Sequence, residues 1–139
     1  MQIKDKLVEV GFTPVNSVVI GSGILNALGL RDSNDIDIVA SVEEYAKLSM
    51  NPRFKVAENH GHEILSDNLF EIGTSWTVIG KTWGFKDLLS HSTVIDGVRY
   101  ITIEFLLGAK RGWLAEGDVR QKDIDDVKLM EDYLKSHKL

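Results

Sequence analysis

The chain contains no cysteine, and this absence excludes several kinds of chemistry at once. Disulfide bonds, zinc sites built from thiolates and cysteine nucleophiles all need a side chain that this protein does not have. An excess of positive charge is also missing, because the formal net charge is −5 at pH 7. Broad binding to nucleic acid draws its affinity from clustered cations that contact phosphates. We therefore expect no extended nucleic-acid surface, whereas a local contact with a nucleotide is compatible with this charge.

Long apolar runs are absent as well. No stretch approaches the roughly 20 apolar residues of a membrane-spanning helix, and the opening segment MQIKDKLVEVGFTPV lacks the apolar core of a signal peptide. We therefore expect no membrane association and a cytoplasmic location. The 139 residues, 43% hydrophobic and 27% charged, suit a single globular domain over residues 1–139.

The spacing of apolar and turn-forming residues predicts an α/β fold. A helical stripe from Ile3 to Val10 ends at Gly11, and the β-branched run SVVI then leads into a glycine turn, so a helix and a strand are expected. Serines placed as N-caps, Ser22 and Ser41, open two of the helices that follow. In order, the next segments are the helix ILNALGL, the strand IDIVA, the helix SVEEYAKLSM, the strands RFKVAE, HEILSD and NLFEIGTSW, and the helix FKDLLSH.

The last third of the sequence contains a hairpin and two helices. A turn at Asp96-Gly97 between apolar runs is typical of a β-hairpin. The segment TIEFLLGAKRGW fits a strand by its alternation, but the spacing of its apolar residues favours a helix. The tail RQKDIDDVKLMEDYLKSHKL is the clearest helix, and Asp123 and Asp126 are expected on its solvated face. Its apolar face is formed by Ile124, Val127, Met130 and Leu134.

Two aspartates separated by one isoleucine stand where the turn RDSND passes into an apolar run: Asp35 ends the turn and Asp37 follows it. In a strand, residues i and i+2 point to the same face, so Asp35 and Asp37 project side by side. Neighbouring carboxylates repel each other unless a cation or a proton compensates them. Magnesium takes oxygen ligands and often shares them with substrate phosphates. The pair therefore predicts a metal cradle, although a polar turn at an exposed strand end explains it equally well in isolation.

A glycine turn precedes the two aspartates. Gly21 and Gly23 follow an apolar strand and precede a helix, so backbone N–H groups can hold an anion, and the Ser22 hydroxyl adds a donor. An ordinary strand–turn–helix joint also carries glycine, so the turn alone does not decide for a phosphate site. Other glycine motifs do not match: no P-loop lysine follows, and Asn26 stands where a dinucleotide fingerprint needs its third glycine.

The combined pattern is more specific than its parts. An apolar strand, Gly-Ser, a short helix, a polar turn and Asp-Ile-Asp-Ile together resemble the signature of the nucleotidyltransferase superfamily, which shares the DNA polymerase beta-like fold. The resemblance implies a small mixed β-sheet flanked by helices. It also implies that Gly21 and Ser22 contact a triphosphate and that Asp35 and Asp37 hold catalytic metal.

Two glutamates compete for the role of the third carboxylate that this family carries. Glu71 lies in DNLFEIGTSW, which is similar to the family's later strand, and its apolar neighbours point to the opposite face. Glu104 lies in ITIEFLL, where an acid in the first turn of a helix is already explained by the helix dipole. We prefer Glu71, with a solvent-facing position on a half-exposed sheet as the alternative.

Cations and histidines are weaker candidates. Lys110 is expected to neutralise phosphate charge, together with Arg111 and Lys122. Basic residues late in a helix also serve the helix dipole and solvent, which is the competing interpretation. His60 and His62 in HGHE have no third zinc ligand beside them, so we interpret them as surface residues.

The resemblance implies a reaction and a set of partners. The expected activity is transfer of a nucleoside monophosphate from a nucleoside triphosphate to an acceptor hydroxyl, with release of pyrophosphate. Asp35, Asp37 and Glu71 would hold two magnesium ions. The acceptor is not specified, and a second subunit or a separate protein is expected to help bind it. Small family members often occur beside a helical partner in toxin–antitoxin pairs, which implies a helical partner protein or a homo-oligomer.

Two other functions remain compatible with the sequence. The chain could bind a nucleotide or a partner protein through the same fold without catalysis, or it could be a small-molecule-binding domain with a purely structural Gly-Ser turn. The third carboxylate separates the first alternative from the enzyme, since Asp35 and Asp37 alone support two-metal catalysis poorly.

Overall fold

The fold is built on one large mixed sheet. A computed structural model of the chain describes residues 2–137. The helices are α1 (Ile3–Val10), α2 (Gly23–Ala27), α3 (Val42–Leu48), α4 (Phe85–Leu88), α5 (Ile103–Ala115) and α6 (Gln121–Ser136), with a 3-10 turn at Leu89–His91. The strands are β1 (Ser17–Ile20), β2 (Ile36–Ala40), β3 (Lys55–Asn59), β4 (His62–Ser66), β5 (Phe70–Gly73), β6 (Ser75–Val78), β7 (Lys81–Gly84), β8 (Ser92–Ile95) and β9 (Val98–Ile101).

Seven of these strands form the main sheet in the order β3-β4-β5-β2-β1-β9-β8. The pairs β1–β9 and β2–β5 are parallel and the other neighbours are antiparallel, so the sheet is mixed. Its central strands β1 and β2 consist mostly of buried valine and isoleucine, which pack well on a pleated surface that is covered on its faces. The expected α/β fold with a mixed sheet and flanking helices is confirmed.

Local sequence signals place the element ends. Gly11 ends α1 in the left-handed conformation with φ 94°, as its position predicts. The Ser41 hydroxyl accepts a hydrogen bond from the Glu44 backbone N–H at the start of α3. The segment after Thr102 is a helix, because the Thr102 hydroxyl caps it by accepting from Phe105 N–H at 3.1 Å. None of the helices within residues 2–137 has the length and apolar character of a membrane span.

The structure divides one predicted strand into two. The segment NLFEIGTSW contains β5 of the main sheet and then β6, which pairs with β7 in a separate two-stranded sheet. The two-residue loop of this hairpin, Ile79-Gly80, has positive φ at both positions, 49° and 74°. Two-residue hairpin loops demand that backbone, but a β-branched residue adopts it only with strain. Because an isoleucine stands at its first position, this turn was not predicted from the sequence. The turn at Asp96-Gly97, with φ 51° and 78°, has residues typical of such a loop and was predicted.

The Ile79 side chain packs against α5. A Cβ atom on Gly112 of α5 would overlap the Ile79 Cδ1 atom, so an alanine there would require the Ile79 side chain to move. Aromatic contacts continue the same interface, with the Trp83 and Phe105 rings 5.0 Å apart and edge-to-face. The β6–β7 hairpin is thus anchored to α5 at its tip and along its length.

We predict that Gly112→Ala releases the hairpin tip, and Gly108→Ala in the same helix is the matched control. Alanine is favoured over glycine in a helix by about 1 kcal/mol. A Cβ at Gly108 meets nothing within 4 Å among the described residues, so that variant gains the full benefit. Gly112→Ala must displace Ile79 and should be at least about 1 kcal/mol less stable than Gly108→Ala in urea unfolding. Equal stability of the two variants would contradict the contact.

The prediction of which α6 residues face solvent is wrong in part. Asp123 and Asp126 are 0% and 2% exposed, whereas Ile124, expected on the apolar face, is 40% exposed. Met130 is fully buried as predicted, with Val127 and Leu134 packed partly against the core. The two aspartates lie on the packed face because cations from other elements pair with them there, which a helical pattern by itself does not reveal.

Candidate active site

Three neighbouring strands place the site residues in one row across the sheet. Ile20 of β1 is opposite Asp37 of β2, and Asp37 is opposite Glu71 of β5. Residues in register on adjacent strands point to the same face. The turn Gly21-Ser22 continues β1 directly beyond Ile20, so it lies beside Asp37.

The backbone at Gly21 approaches Asp37 closely. Gly21 has φ 62°, and a Cβ built there would lie 2.9 Å from the Asp37 Oδ2 atom. An L side chain at this position is therefore excluded twice, by the left-handed backbone and by the carboxylate. The glycine that the motif suggested is needed to bring the turn and the carboxylate together.

Asp37 is a carboxylate in an unfavourable environment. Its pKa is raised to about 7, first by burial and then by the charge of Asp35 and the hydrogen bond and charge of Glu71. Its Oδ1 atom is buried and has no hydrogen-bond partner among the described residues. Such an atom loses the hydration it had in water and gains no bond in return. A cation at this place would compensate it.

Of the two candidate glutamates, the structure places Glu71 beside Asp37, whereas Asp35 precedes β2 and is exposed. Its Oε1 atom accepts a hydrogen bond from Asn59 Nδ2 at 2.7 Å, which fixes the carboxylate. Glu104 lies instead in the first turn of α5, exposed, along a different groove with Val78 and Trp83. Its position in the first turn matches the helix-dipole explanation.

A cavity of about 570 Å³ opens over this row. Its lining includes Gly21, Ser22, Asp37 and Glu71. It also includes aromatic and polar side chains from the β6–β7 hairpin, the β3–β4 hairpin and α5: Asn59, His60, His62, Trp76, Thr77 and Trp113. The two tryptophan rings are 6.0 Å apart and edge-to-face, so they form an apolar wall. A concave site lined by both polar groups and aromatic rings suits a small organic molecule.

His60 and His62 border the cavity. The His62 Nε2 atom lies 3.1 Å from the Thr77 hydroxyl and joins the β3–β4 turn to the hairpin. Among residues 2–137, no three His, Asp or Glu side chains already form a metal-binding group. A magnesium ion at Asp37 would accordingly need ligands from the nucleotide as well, which is the usual situation for this ion.

Lys110 lines the cavity but its charge is already paired. Its Nζ lies 2.6 Å from Asp123 Oδ1 and 3.2 Å from Asp126 Oδ2, and its side chain is 7% exposed. Arg120 donates to the second oxygen of Asp123 at 3.0 Å. The expected contact between Lys110 and a nucleotide stays a prediction, and any such contact would compete with these two aspartates. Arg111 points elsewhere, into an exposed pair with Glu131.

Ser22 does not cap α2, which corrects the expectation from its position. It occupies the N-cap residue, but its side chain makes no capping hydrogen bond. The hydroxyl oxygen accepts instead from Arg31 Nη2 at 2.8 Å, and Arg31 is held by Asp126 of α6. A charged guanidinium forms a stronger hydrogen bond than a backbone N–H group, so the Ser22 hydroxyl accepts from Arg31 and not from the backbone of α2.

Several residues of the site were missed by the sequence analysis. Arg31 is the first residue of the turn RDSND, but nothing local indicated that it reaches Ser22. Asn59 and Trp76 carried no signal, because they enter the cavity only through the pairing of β3 with β4 and of β6 with β7. Trp113 carried none either, because it reaches the cavity from α5, where it contacts Trp76. Lys122, interpreted in part as a solvent-facing cation, borders the cavity, where its charge opposes part of the rise in the Asp37 pKa that burial causes.

Comparison with known proteins supports the fold. The chain is similar to the solution structure of the antibiotic-resistance factor ANT(2'')-Ia, a nucleotidyltransferase, with a TM-score of 0.58 and 21% sequence identity. The similarity covers 95% of this chain and 80% of that one. No protein-family model and no curated protein matches the sequence. The nucleotidyltransferase-like fold implied by the motif is therefore shown by the structure.

Proposed function

We propose that the protein is a metal-dependent nucleotidyltransferase that acts on a hydroxyl of a small molecule. One observation carries the proposal: the Gly21-Ser22 turn and the carboxylates of Asp37 and Glu71 follow one row across the sheet and line a single cavity. Hydrogen-bond donors for phosphate and oxygen ligands for a metal would thereby lie within reach of the same triphosphate. The similarity in fold to a nucleotidyltransferase supports the same reaction class.

The residues divide the work at the triphosphate. The backbone at Gly21 and the Ser22 hydroxyl would bind phosphate oxygens, and the exposed Lys122 would offset their charge. Asp35, Asp37 and Glu71 would hold magnesium, which when bound supplies stabilisation of the charge that develops on the phosphates. The orphaned Oδ1 atom of Asp37 fits this role. Asn59 keeps the Glu71 carboxylate oriented.

The reaction would join the acceptor to the α-phosphorus. The acceptor oxygen forms the new bond as it gives its proton to a carboxylate of the site, and pyrophosphate leaves with the electron pair of the broken P–O bond. The wall formed by Trp76 and Trp113 would hold the acceptor in line with that bond.

The size and lining of the cavity argue for a small acceptor. About 570 Å³ lies within the range of sites that enclose small molecules. The similar protein is an antibiotic-resistance factor whose conformational dynamics are regulated by substrate, which agrees with a small-molecule acceptor here. Support for a helical partner protein, or for a second copy of the chain, comes from the family resemblance alone.

The first test is a thermal unfolding titration with ATP, GTP, CTP and UTP, with and without magnesium. A ligand at a hundredfold excess over its dissociation constant should raise the stability of the folded state by about 2.7 kcal/mol. We expect one or more triphosphates to do so only with magnesium. Glu71→Gln should lose the effect, and Glu104→Gln, a matched carboxylate outside the cavity, should keep it.

The second arm of the test separates binding from catalysis. The protein is incubated with magnesium, an α-labelled triphosphate and a cell extract, which is then separated into small molecules, protein and RNA. Label in the small-molecule fraction supports the proposal, and label in protein or RNA redirects it to another acceptor. Magnesium-dependent binding without any transfer would favour a non-catalytic nucleotide-binding protein. No response to any triphosphate would overturn the proposal.

A further inference from the structure

We propose that Arg31 is a positioning residue that fixes the Ser22 hydroxyl for donation to a phosphate oxygen, and that Asp126 is the anchor that holds the Arg31 side chain in place. The inference rests on the proposed function, because it needs a triphosphate at the Gly21-Ser22 turn. It concerns residues outside the turn and the carboxylate row, one of them on the last helix of the chain.

Four hydrogen bonds hold the Arg31 side chain in one arrangement. The Nε atom donates to Asp126 Oδ1 at 2.7 Å and Nη2 donates to Asp126 Oδ2 at 2.8 Å, which is a bidentate pair. The Nη1 atom donates to the Asp32 carbonyl at 2.9 Å. The Nη2 atom also donates to Ser22 Oγ at 2.8 Å. Every nitrogen of the guanidinium group is therefore engaged, and the last contact is the one that reaches the cavity.

The anchor is itself held in place. Asp126 is 2% exposed, and Lys110 lies 3.2 Å from the same Oδ2 atom that Arg31 contacts. Burial works against the charged carboxylate, but the hydrogen bonds and charges of Arg31 and Lys110 outweigh it and lower the pKa of Asp126. The anchor therefore stays ionised, and Arg31 keeps its position throughout the neutral range.

The direction of the Ser22 bond determines what the hydroxyl can do. A serine hydroxyl has one proton and accepts through its lone pairs. Arg31 can only donate, so Ser22 Oγ accepts and its proton is directed away from Arg31. No capping bond holds the side chain to the backbone of α2. An accepted bond from a cation also strengthens the hydroxyl as a donor, because linked hydrogen bonds polarise one another.

A lysine at position 31 would separate this role from simple charge pairing. Lysine keeps the positive charge beside Asp126, but its single ammonium group does not reproduce the planar fork of arginine. It can satisfy the carboxylate and still lose the bond to Ser22. Arg53, whose Nε donates to Asp67 at 2.9 Å and which does not line the cavity, provides the matched Arg→Lys control.

The experiment measures the affinity for magnesium tripolyphosphate by titration calorimetry, which tests phosphate binding without a base. Ser22→Ala and Arg31→Lys should each weaken binding about tenfold, the effect of one charge-assisted hydrogen bond. The double variant should be no more than about twofold weaker than either one, because both changes remove the same bond. Arg53→Lys should bind as the wild type does.

The outcomes distinguish this inference from the proposed function. If the wild type binds and Arg31→Lys binds equally well, or if the two losses multiply in the double variant, the positioning role is wrong and the proposed function stands. If the wild type binds no tripolyphosphate, the proposed function fails and this inference fails with it. Should Arg31→Lys not fold, Asp126→Asn, which retains Arg31 but weakens its anchor, should give a loss in the same direction. Unchanged binding in that variant overturns the inference.

Discussion

Asp37→Asn is expected to stabilise the ligand-free protein at neutral and alkaline pH while it removes magnesium-dependent nucleotide binding. The two effects have one cause. Asp37 is half-buried beside Asp35 and Glu71, and ionisation brings its charge close to theirs. An asparagine has nearly the same shape and no charge, so it relieves the repulsion and cannot serve as an ionised ligand.

The pH dependence gives the sign of the stability effect. The pKa of Asp37 is about 7 in the folded protein and 3.8 in a free side chain. The folded state therefore holds a proton between these values that the unfolded state has lost. The stability from this proton is complete below pH 4 and is lost as the pH rises through 7. The loss is at most about 4 kcal/mol, since each pKa unit corresponds to about 1.4 kcal/mol.

Urea unfolding of the ligand-free protein between pH 4 and 8 measures this effect. The wild type should lose stability across the window, and Asp37→Asn should lose much less. Asp67 is the matched control with the opposite sign, because burial raises its pKa but bonds from the Phe70 and Leu69 N–H groups and Arg53 lower it overall. Asp67→Asn should therefore destabilise the protein at pH 7. A wild type with no slope between pH 4 and 7 would contradict the carboxylate crowding.

Nucleotide binding should respond to Asp37→Asn in the opposite way to stability. Loss of a residue that only supports a metal ligand costs 10-fold to 100-fold in affinity, so loss of a ligand itself should cost at least about a hundredfold. The measurement is the magnesium-dependent dissociation constant of the triphosphate found in the thermal titration. A variant that is stabilised and still binds magnesium nucleotide normally would show that Asp37 is not a ligand.

Lys110→Ala is expected to be the most destabilising single substitution that the site permits, at about 3 to 5 kcal/mol. The Lys110 and Asp123 side chains are 7% and 1% exposed, so they form a pair with little access to water. Asp126 shares the lysine and is also buried. Removal of the Lys110 ammonium group leaves two buried carboxylates with less positive charge beside them. A buried charge that has lost its partner destabilises a protein by more than the intact ion pair stabilises it.

The neighbouring residue supplies the matched control. Arg111 forms an ion pair with Glu131 at the equally short distance of 2.6 Å, but the two side chains are 53% and 48% exposed. Exposed pairs contribute between 0 and about 1 kcal/mol, so Arg111→Ala should have little effect. Urea unfolding of both variants at pH 7 makes the comparison. Similar losses in the two variants would show that burial does not set the strength of the Lys110 pair.

A second variant checks the cause of the loss at Lys110. Lys110→Met combined with Asp123→Asn removes one of the stranded charges together with the lysine. It should recover part of the stability that Lys110→Met loses alone, because a neutral amide costs less to bury than an unpaired carboxylate. If the double variant recovers no stability, the loss in Lys110→Met comes from packing around the methylene groups of the lysine and not from the stranded charge.

The sequence by itself determined the local parts of this protein. Helix ends at Gly11, Ser41 and Thr102, the strand before Gly21, and the hairpin at Asp96-Gly97 follow from interactions among residues a few positions apart. The nucleotidyltransferase-like fold was recognisable for the same reason. Its signature lies within one short segment, GSGILNALGLRDSNDIDIV, in which the turn and the aspartates are separated by a single helix.

Tertiary structure decided which distant side chains meet. Glu71 lies beside Asp37 only because β2 and β5 pair in one register, and a shift by one residue would turn Glu71 to the other face. Ser22 lost its expected cap to an arginine that α6 holds through Asp126. The two aspartates of α6 are buried, against their pattern, because Lys110 and Arg31 pair with them. The energy of a buried charge depends on its surroundings, and no periodicity within one helix contains that information.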